Sequence, residues 1–142
     1  MKPKTILAFG TFDLLHPGHI SYLTQAKALG ERLVVIIATD SNVFRVKGIK
    51  PVNGQQARRE LVAALGLVDD AVVGFEDDMM KSVEKAKPDI VALGYDQRPD
   101  EDALRESFSA RGIKAKIVRL KPHKPEMFKS SKIRQRIESL KK

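Results

Sequence analysis

Five short apolar runs punctuate the chain, and helical periodicity fills the intervals between them. The runs near residues 5–9, 32–38, 70–73, 89–93 and 115–119 predict strands. The stretches near 17–29, 55–65, 78–86, 100–110 and 131–140 predict helices; the first carries Ile20, Leu23, Ala26 and Leu29 on one stripe. Leu33-Val34-Val35-Ile36-Ile37 shows no alternation of apolar and polar positions. A strand so built wants cover on both faces, as in a parallel sheet between helical layers. Gly30 and Gly112 stand just ahead of the next strand and read as helix stops. The expected architecture is therefore α/β: a Rossmann-like, doubly wound domain with a five-stranded parallel sheet. No repeat, low-complexity tract or linker interrupts the sequence, so residues 1–142 are expected to form one domain.

Sheets of this kind bind ligands outside the carboxyl ends of their strands, where the strand order reverses. Four chemically distinctive segments follow predicted strands: GTFDLLHPGH (10–19), TDSNVFRVKGIKP (39–51), GYDQ (94–97) and PHKPEMFKSSK (122–132). All four are expected as loops sharing one rim. That convergence points to a composite site.

The first of these segments holds the densest chemistry. Pro17 suits a first helical position, and Gly18 leaves the approach to the helix bare. His16 and His19, three residues apart, should project from one side of the first turn. Free backbone N–H groups and two potentially cationic rings would make a polyphosphate cradle. Zinc ligation is the competing reading, but a catalytic zinc usually takes three protein ligands, and only Asp13 lies near in sequence. Structural histidines are the other. The phosphate role is favoured because Gly10 permits a close turn and the Thr11 and Phe12 backbone can face a nucleotide.

Composition narrows the partner. The chain has no cysteine, which excludes disulfides, zinc–thiolate sites and thiol catalysis. Its longest purely apolar run, Leu33 to Ala38, is far too short to span a membrane, and no apolar signal region follows Met1, so a cytoplasmic location is expected. A formal charge of +8 calls for an anionic partner. With no Trp and two Tyr there is no aromatic platform for single strands, which favours phosphorylated small molecules over nucleic acid. Lys47 and Lys50 are candidates to grip an acceptor phosphate, with a solvated loop as the alternative. Asp13 is read as orienting the acceptor or a metal-bound water, or as capping its turn. Asp96 is read as a contact to the nucleotide base or ribose, or as a turn residue. His123 reads as solvated, and Met79-Met80 as helix packing.

GTFDLLHPGH resembles the GxFDxxHxGH signature of the cytidylyltransferase-like nucleotidyltransferases, relatives of the class I aminoacyl-tRNA synthetase catalytic domain. The resemblance extends along nearly the whole chain. Arg58-Arg59-Glu60-Leu61-Val62 followed by Leu67-Val68-Asp69 is similar to the family's arginine helix and its "VD". Lys129-Ser130-Ser131-Lys132-Ile133 is similar to its ISSTxI-type element, with Lys129 where a small or apolar residue is usual. The resemblance implies transfer of a nucleoside monophosphate from an NTP to a phosphorylated acceptor, with release of pyrophosphate. It implies that His16 and His19 stabilise the transition state and that Arg58 pairs with the phosphates. Ser130 and Ser131 would hold the β- and γ-phosphates at a helix start. A divalent metal ion, Mg²⁺, would bridge phosphate oxygens with no protein ligand assigned to it.

Among small members, Leu93-Gly94-Tyr95-Asp96-Gln97 and the SSKI ending look more like archaeal FAD synthases than like glycerol-3-phosphate cytidylyltransferases, which typically carry a GDDW-like loop. Transfer of AMP from ATP to FMN is the favoured expectation. A CTP-dependent enzyme acting on glycerol 3-phosphate or a similar phosphorylated alcohol or sugar is the alternative, and a non-catalytic nucleotide-binding module the third. Members of the family are often dimers, so a homodimer is a family expectation.

Overall fold

A computed structural model describes residues 3–97, 100–122 and 130–140, the last segment as backbone alone up to residue 134. The predicted alternation is present: β1 (Thr5–Gly10), α1 (Pro17–Lys27), β2 (Arg32–Ile37), α2 (Asp40–Lys47), α3 (Gln55–Ala63), β3 (Asp70–Val73), α4 (Met79–Ala86), β4 (Ile90–Leu93), α5 (Glu101–Arg111), β5 (Lys116–Arg119) and α6 (Ser130–Leu140). The strands form one parallel sheet in the order β3-β2-β1-β4-β5. The chain winds outward from β1 through β2 to β3, then returns to place β4 on the other side of β1. The reversal point is therefore the seam between β1 and β4.

Alternate residues of each strand face opposite layers. Ile6, Ala8, Leu33, Val35 and Ala92 pack with Leu23 and Ala26 of α1 and Val62 of α3. Leu7, Val34, Ile36, Val91 and Ile117 pack with Val83 of α4 and with Leu104 and Phe108 of α5. Met79 and Met80 join this second core, in agreement with the packing role read from sequence. Covered on both faces, β2 has the burial that its uninterrupted apolar run requires.

Two expectations are corrected. TDSNVFRVKGIKP is not all loop: Thr39 caps α2 by accepting from the Asn42 N–H at 3.2 Å, and Gly48, left-handed at φ 76°, closes it. This helix buries only Val43, so it has no apolar stripe for the sequence to display. Gly30 does not end α1 by a left-handed cap, since the helix closes at Ala28 in right-handed geometry. Gly30 is required instead by close packing, because a Cβ there would stand 2.8 Å from both the Lys4 carbonyl and Ile6 Cδ1. Gly112, left-handed at φ 69°, does cap α5 as read.

Candidate active site

The four distinctive segments all follow the carboxyl ends of strands, and the β1 segment lies at the reversal point. His16 is the N-cap of α1: its Nδ1 accepts from the Gly18 N–H at 3.1 Å, and its carbonyl accepts from His19 N–H at 2.9 Å. Pro17 has no N–H to offer. The first-turn donors are thus committed within the turn, which corrects the expectation of free backbone N–H groups there. The same bond settles a tautomer, because an accepting Nδ1 leaves the His16 proton on Nε2.

The imidazoles of His16 and His19 stack with centroids 3.9 Å apart and planes 25° from parallel. Burial, then the neighbouring His16, then the charge of Lys47 push the His19 pKa down to about 3. Burial also lowers that of His16. Both rings are neutral at neutral pH, so they are N–H donors rather than the cations anticipated. His19 Nδ1 is buried without a hydrogen-bond partner. An orphaned polar atom in a reactive turn is the kind of exception that function explains.

Phe12 shapes the turn from below. It is left-handed at φ 53°, buried, and its ring centroid lies 5.2 Å from that of His19. A non-glycine residue in this region costs about 1–2 kcal/mol. Gly10 makes room for it, since a Cβ at Gly10 would press to 3.0 Å on the Phe12 ring.

The β1–β4 seam is open toward this turn. Backbone pairing is confined to Ile6–Ile90 and Leu7–Val91. Beyond it, side chains bridge the gap. The Tyr22 hydroxyl accepts from Phe9 N–H at 3.2 Å and donates to the Ala92 carbonyl at 2.7 Å. The Gln97 amide donates to the Phe9 carbonyl and accepts from Gly94 N–H at 2.8 Å. Arg119 then ties the Gly94 and Gln97 carbonyls at 2.7 and 2.9 Å. The GYDQ segment is thereby a fixed wall of the crevice.

Asp13 and Arg58 are both tied into the backbone around the β1–α1 turn. Asp13 is buried, and its two carboxylate oxygens accept from the Val52 and Asn53 N–H groups, each at 2.8 Å. Arg58 is wholly buried; it donates to the Asn53 carbonyl at 2.9 Å, to the Thr11 carbonyl at 2.8 Å and to Asp40 Oδ1 at 2.8 Å. Together their hydrogen bonds clamp the α2–α3 loop against the β1–α1 turn.

Lys47 lies at the end of α2, within electrostatic reach of the histidine turn. Its charge bears on His19, while partial desolvation and the Arg58 charge lower its own pKa against an opposing pull from Asp96. Lys47 and Asp96, from different segments, are thus near enough for their charges to interact. Lys50 lies exposed on the same α2–α3 loop. Ser130 and Ser131 lie at the first described positions of α6; their side chains lie outside the described residues, as does His123. Sequence reasoning missed Tyr22, Asp40, Asn53 and Arg119 as site builders. Gln97 was within a quoted motif but had no role assigned. Nothing in its spacing separates Tyr22 from an ordinary core position of α1.

A doubly wound sheet with paired imidazoles at its reversal point, and a lysine whose charge bears on them, defines a nucleotidyltransferase type of site. The chain belongs to the cytidylyltransferase-like family, whose model matches residues 7–136. It is 48% identical over 138 residues to an FAD synthase of Ferroglobus placidus, covering 96% of this chain and 90% of that one. It is 53% identical to an FAD synthase of Methanosarcina barkeri, covering 81% of each. A solved structure described as a lipopolysaccharide core biosynthesis protein from Thermoplasma volcanium superposes with a TM-score of 0.83 at 44% identity, covering 86% of this chain and 99% of that one. Pantoate-beta-alanine ligase from Francisella tularensis shares the fold, with a TM-score of 0.67 at 16% identity over 94% of this chain and 65% of that one.

Proposed function

We propose that this enzyme transfers AMP from ATP to FMN, giving FAD and pyrophosphate. Relatives named FAD synthase, about half identical over most of both chains, carry the reading of the acceptor. The stacked histidines at the β1–β4 crevice support the reading of the chemistry. A phosphate oxygen of FMN forms a bond to the α-phosphorus as the bond to the pyrophosphate oxygen breaks. The acceptor is already anionic, so no covalent enzyme intermediate is needed. Charge grows on the α-phosphoryl oxygens and on the leaving pyrophosphate.

His16 Nε2–H and His19 meet that growing charge as neutral donors, preset by their turn. The backbone of Gly10, Thr11 and Phe12, with Pro17 and Gly18, forms the floor beneath the nucleotide, and Asp96 contacts its base or ribose. Lys47 and Lys50 hold the FMN phosphate in line. Ser130 and Ser131 hold the β- and γ-phosphates at the start of α6. Among the described residues no group of three or more His, Asp or Glu is assembled to cage a metal, and the Asp13 oxygens already accept backbone N–H groups. A divalent ion, Mg²⁺, would be held through the nucleotide phosphates and would supply charge neutralisation there.

The substrates are small and soluble, and no described helix is long and apolar enough to cross a membrane. A cytoplasmic enzyme without a nucleic-acid partner, acting as a homodimer, completes the reading. A pyrophosphate-release screen of ATP, CTP, GTP and UTP against FMN, glycerol 3-phosphate and sugar phosphates tests it. Turnover is expected with ATP and FMN. Turnover with CTP and glycerol 3-phosphate alone would replace it with the cytidylyltransferase alternative.

A further inference from the structure

Large apolar side chains exposed to solvent are unevenly distributed. Phe44 (53% exposed), Val46 (79%), Ile49 (51%) and Val52 (66%) all fall within nine residues, on α2 and the loop that follows it. This is also the segment that carries Lys47 and Lys50. Exposed apolar residues grouped in this way mark a binding surface, whereas scattered ones do not.

Helical geometry orients part of the group. Along α2, Asp40, Phe44 and Lys47 are separated by four and three residues and so share a face. Asp40 takes the Arg58 guanidinium on that face, and Lys47 bears on His19 and Asp96. Phe44 is thus beside Lys47 on the side turned to the crevice. The loop beyond is held in place, since Asp13 accepts from the Val52 N–H. Val46 turns away from this face.

We propose that Phe44, with Ile49 and Val52 exposed on the loop that follows, is the platform on which the isoalloxazine ring of FMN rests while Lys47 holds the FMN phosphate. The inference rests on FMN being the acceptor. The ligand chemistry matches the surface in both of its parts. FMN joins a dianionic phosphate to a flat aromatic system through a short ribityl chain, and the segment joins a cation to an exposed aromatic ring at helical spacing. A small acceptor such as glycerol 3-phosphate would use the cation and leave the apolar group uncovered. The platform therefore also selects the acceptor: offset stacking on Phe44 adds affinity that only a planar substrate receives.

Steady-state kinetics of the full chain, with FMN and ATP varied in turn, test the platform on Phe44→Ala and Phe44→Trp. Phe44→Ala is expected to raise KM for FMN about tenfold while KM for ATP stays put, and Phe44→Trp to restore FMN binding. FMN fluorescence should be quenched on binding to the wild type and less so on binding to Phe44→Ala. An unchanged KM for FMN in Phe44→Ala, with the wild type making FAD, would overturn the platform and leave the acceptor reading intact. No FAD from the wild type would overturn both. Sedimentation completes the test: a dimer that dissociates in Phe44→Ala with FMN affinity retained would show this face to be a subunit contact instead.

Discussion

The rings of His16 and His19 lie 3.9 Å apart, and the inner nitrogen of the second is buried with no partner. Two imidazoles so close cannot both carry charge cheaply, and Lys47 adds to the repulsion. The pair is therefore uncharged at neutral pH, as the proposed role of neutral donors requires. Replacing either ring by alanine should lower kcat about 10²–10³-fold, the usual effect of removing one donor from an oxyanion site. The change in KM for FMN should be small, which initial-rate kinetics will show.

The same pair makes stability depend on pH. The His19 pKa falls from 6.5 to about 3 on folding, so between those values the unfolded chain binds more protons than the folded one. The contribution is fully present above pH 6.5 and is lost as pH falls toward about 3. Tm measured from pH 7.5 down to 4 should drop, and His19→Gln should flatten that drop. A wild-type profile no steeper than that of His19→Gln would contradict the assignment.

Arg58 distinguishes a clamp from a phosphate ligand. Arg58→Lys keeps the charge but cannot reach the Asn53 carbonyl, the Thr11 carbonyl and Asp40 together. Loss of such a buried hub should cost about 3 kcal/mol or more in stability, read by urea denaturation. A direct phosphate ligand would instead raise KM for ATP and leave stability nearly untouched.

Asp13→Ala should strand the Val52 and Asn53 N–H groups, each at a cost of about 1–3 kcal/mol. Because these groups fix the loop bearing Lys50, KM for FMN should rise more than KM for ATP. Asp13→Asn, which retains one accepting oxygen, should fall between wild type and alanine in both readouts.

Gln97 is the counterpart on the nucleotide side. Gln97→Ala removes the bridge from the Phe9 carbonyl to Gly94 N–H and frees the Tyr95–Asp96 wall. KM for ATP should increase while KM for FMN holds. Equal increases in both would mean a general loosening of the sheet.

The strands were legible because burial on both faces leaves an apolar run, as Leu33 to Ile37 shows. The αL cap at Gly112 was legible for a similar reason, since the helix pattern stops where the glycine begins. Helix α2 was not, because a helix lying at the rim with Val43 as its sole buried residue displays no stripe. The site divides along the same physical line. Local spacing on α1 revealed that His16 and His19 belong together. The roles of Asp13 and Arg58 depend on hydrogen bonds spanning 39 to 47 residues, and on burial, which residue type does not disclose. From the sequence Arg58 reads as a phosphate partner, and Asp13 as an acceptor contact or a turn cap, with nothing local to choose between the latter two. In this fold they are fastened inward, and Lys47 alone among the basic candidates bears on the histidine pair.

Product analysis with ATP, FMN and Mg²⁺ tests the central claim most directly. The purified chain is predicted to form FAD and pyrophosphate in equal amounts, and His16→Ala and His19→Ala to form little of either. Absence of FAD from the folded wild-type protein, with turnover of CTP and glycerol 3-phosphate in its place, would contradict it.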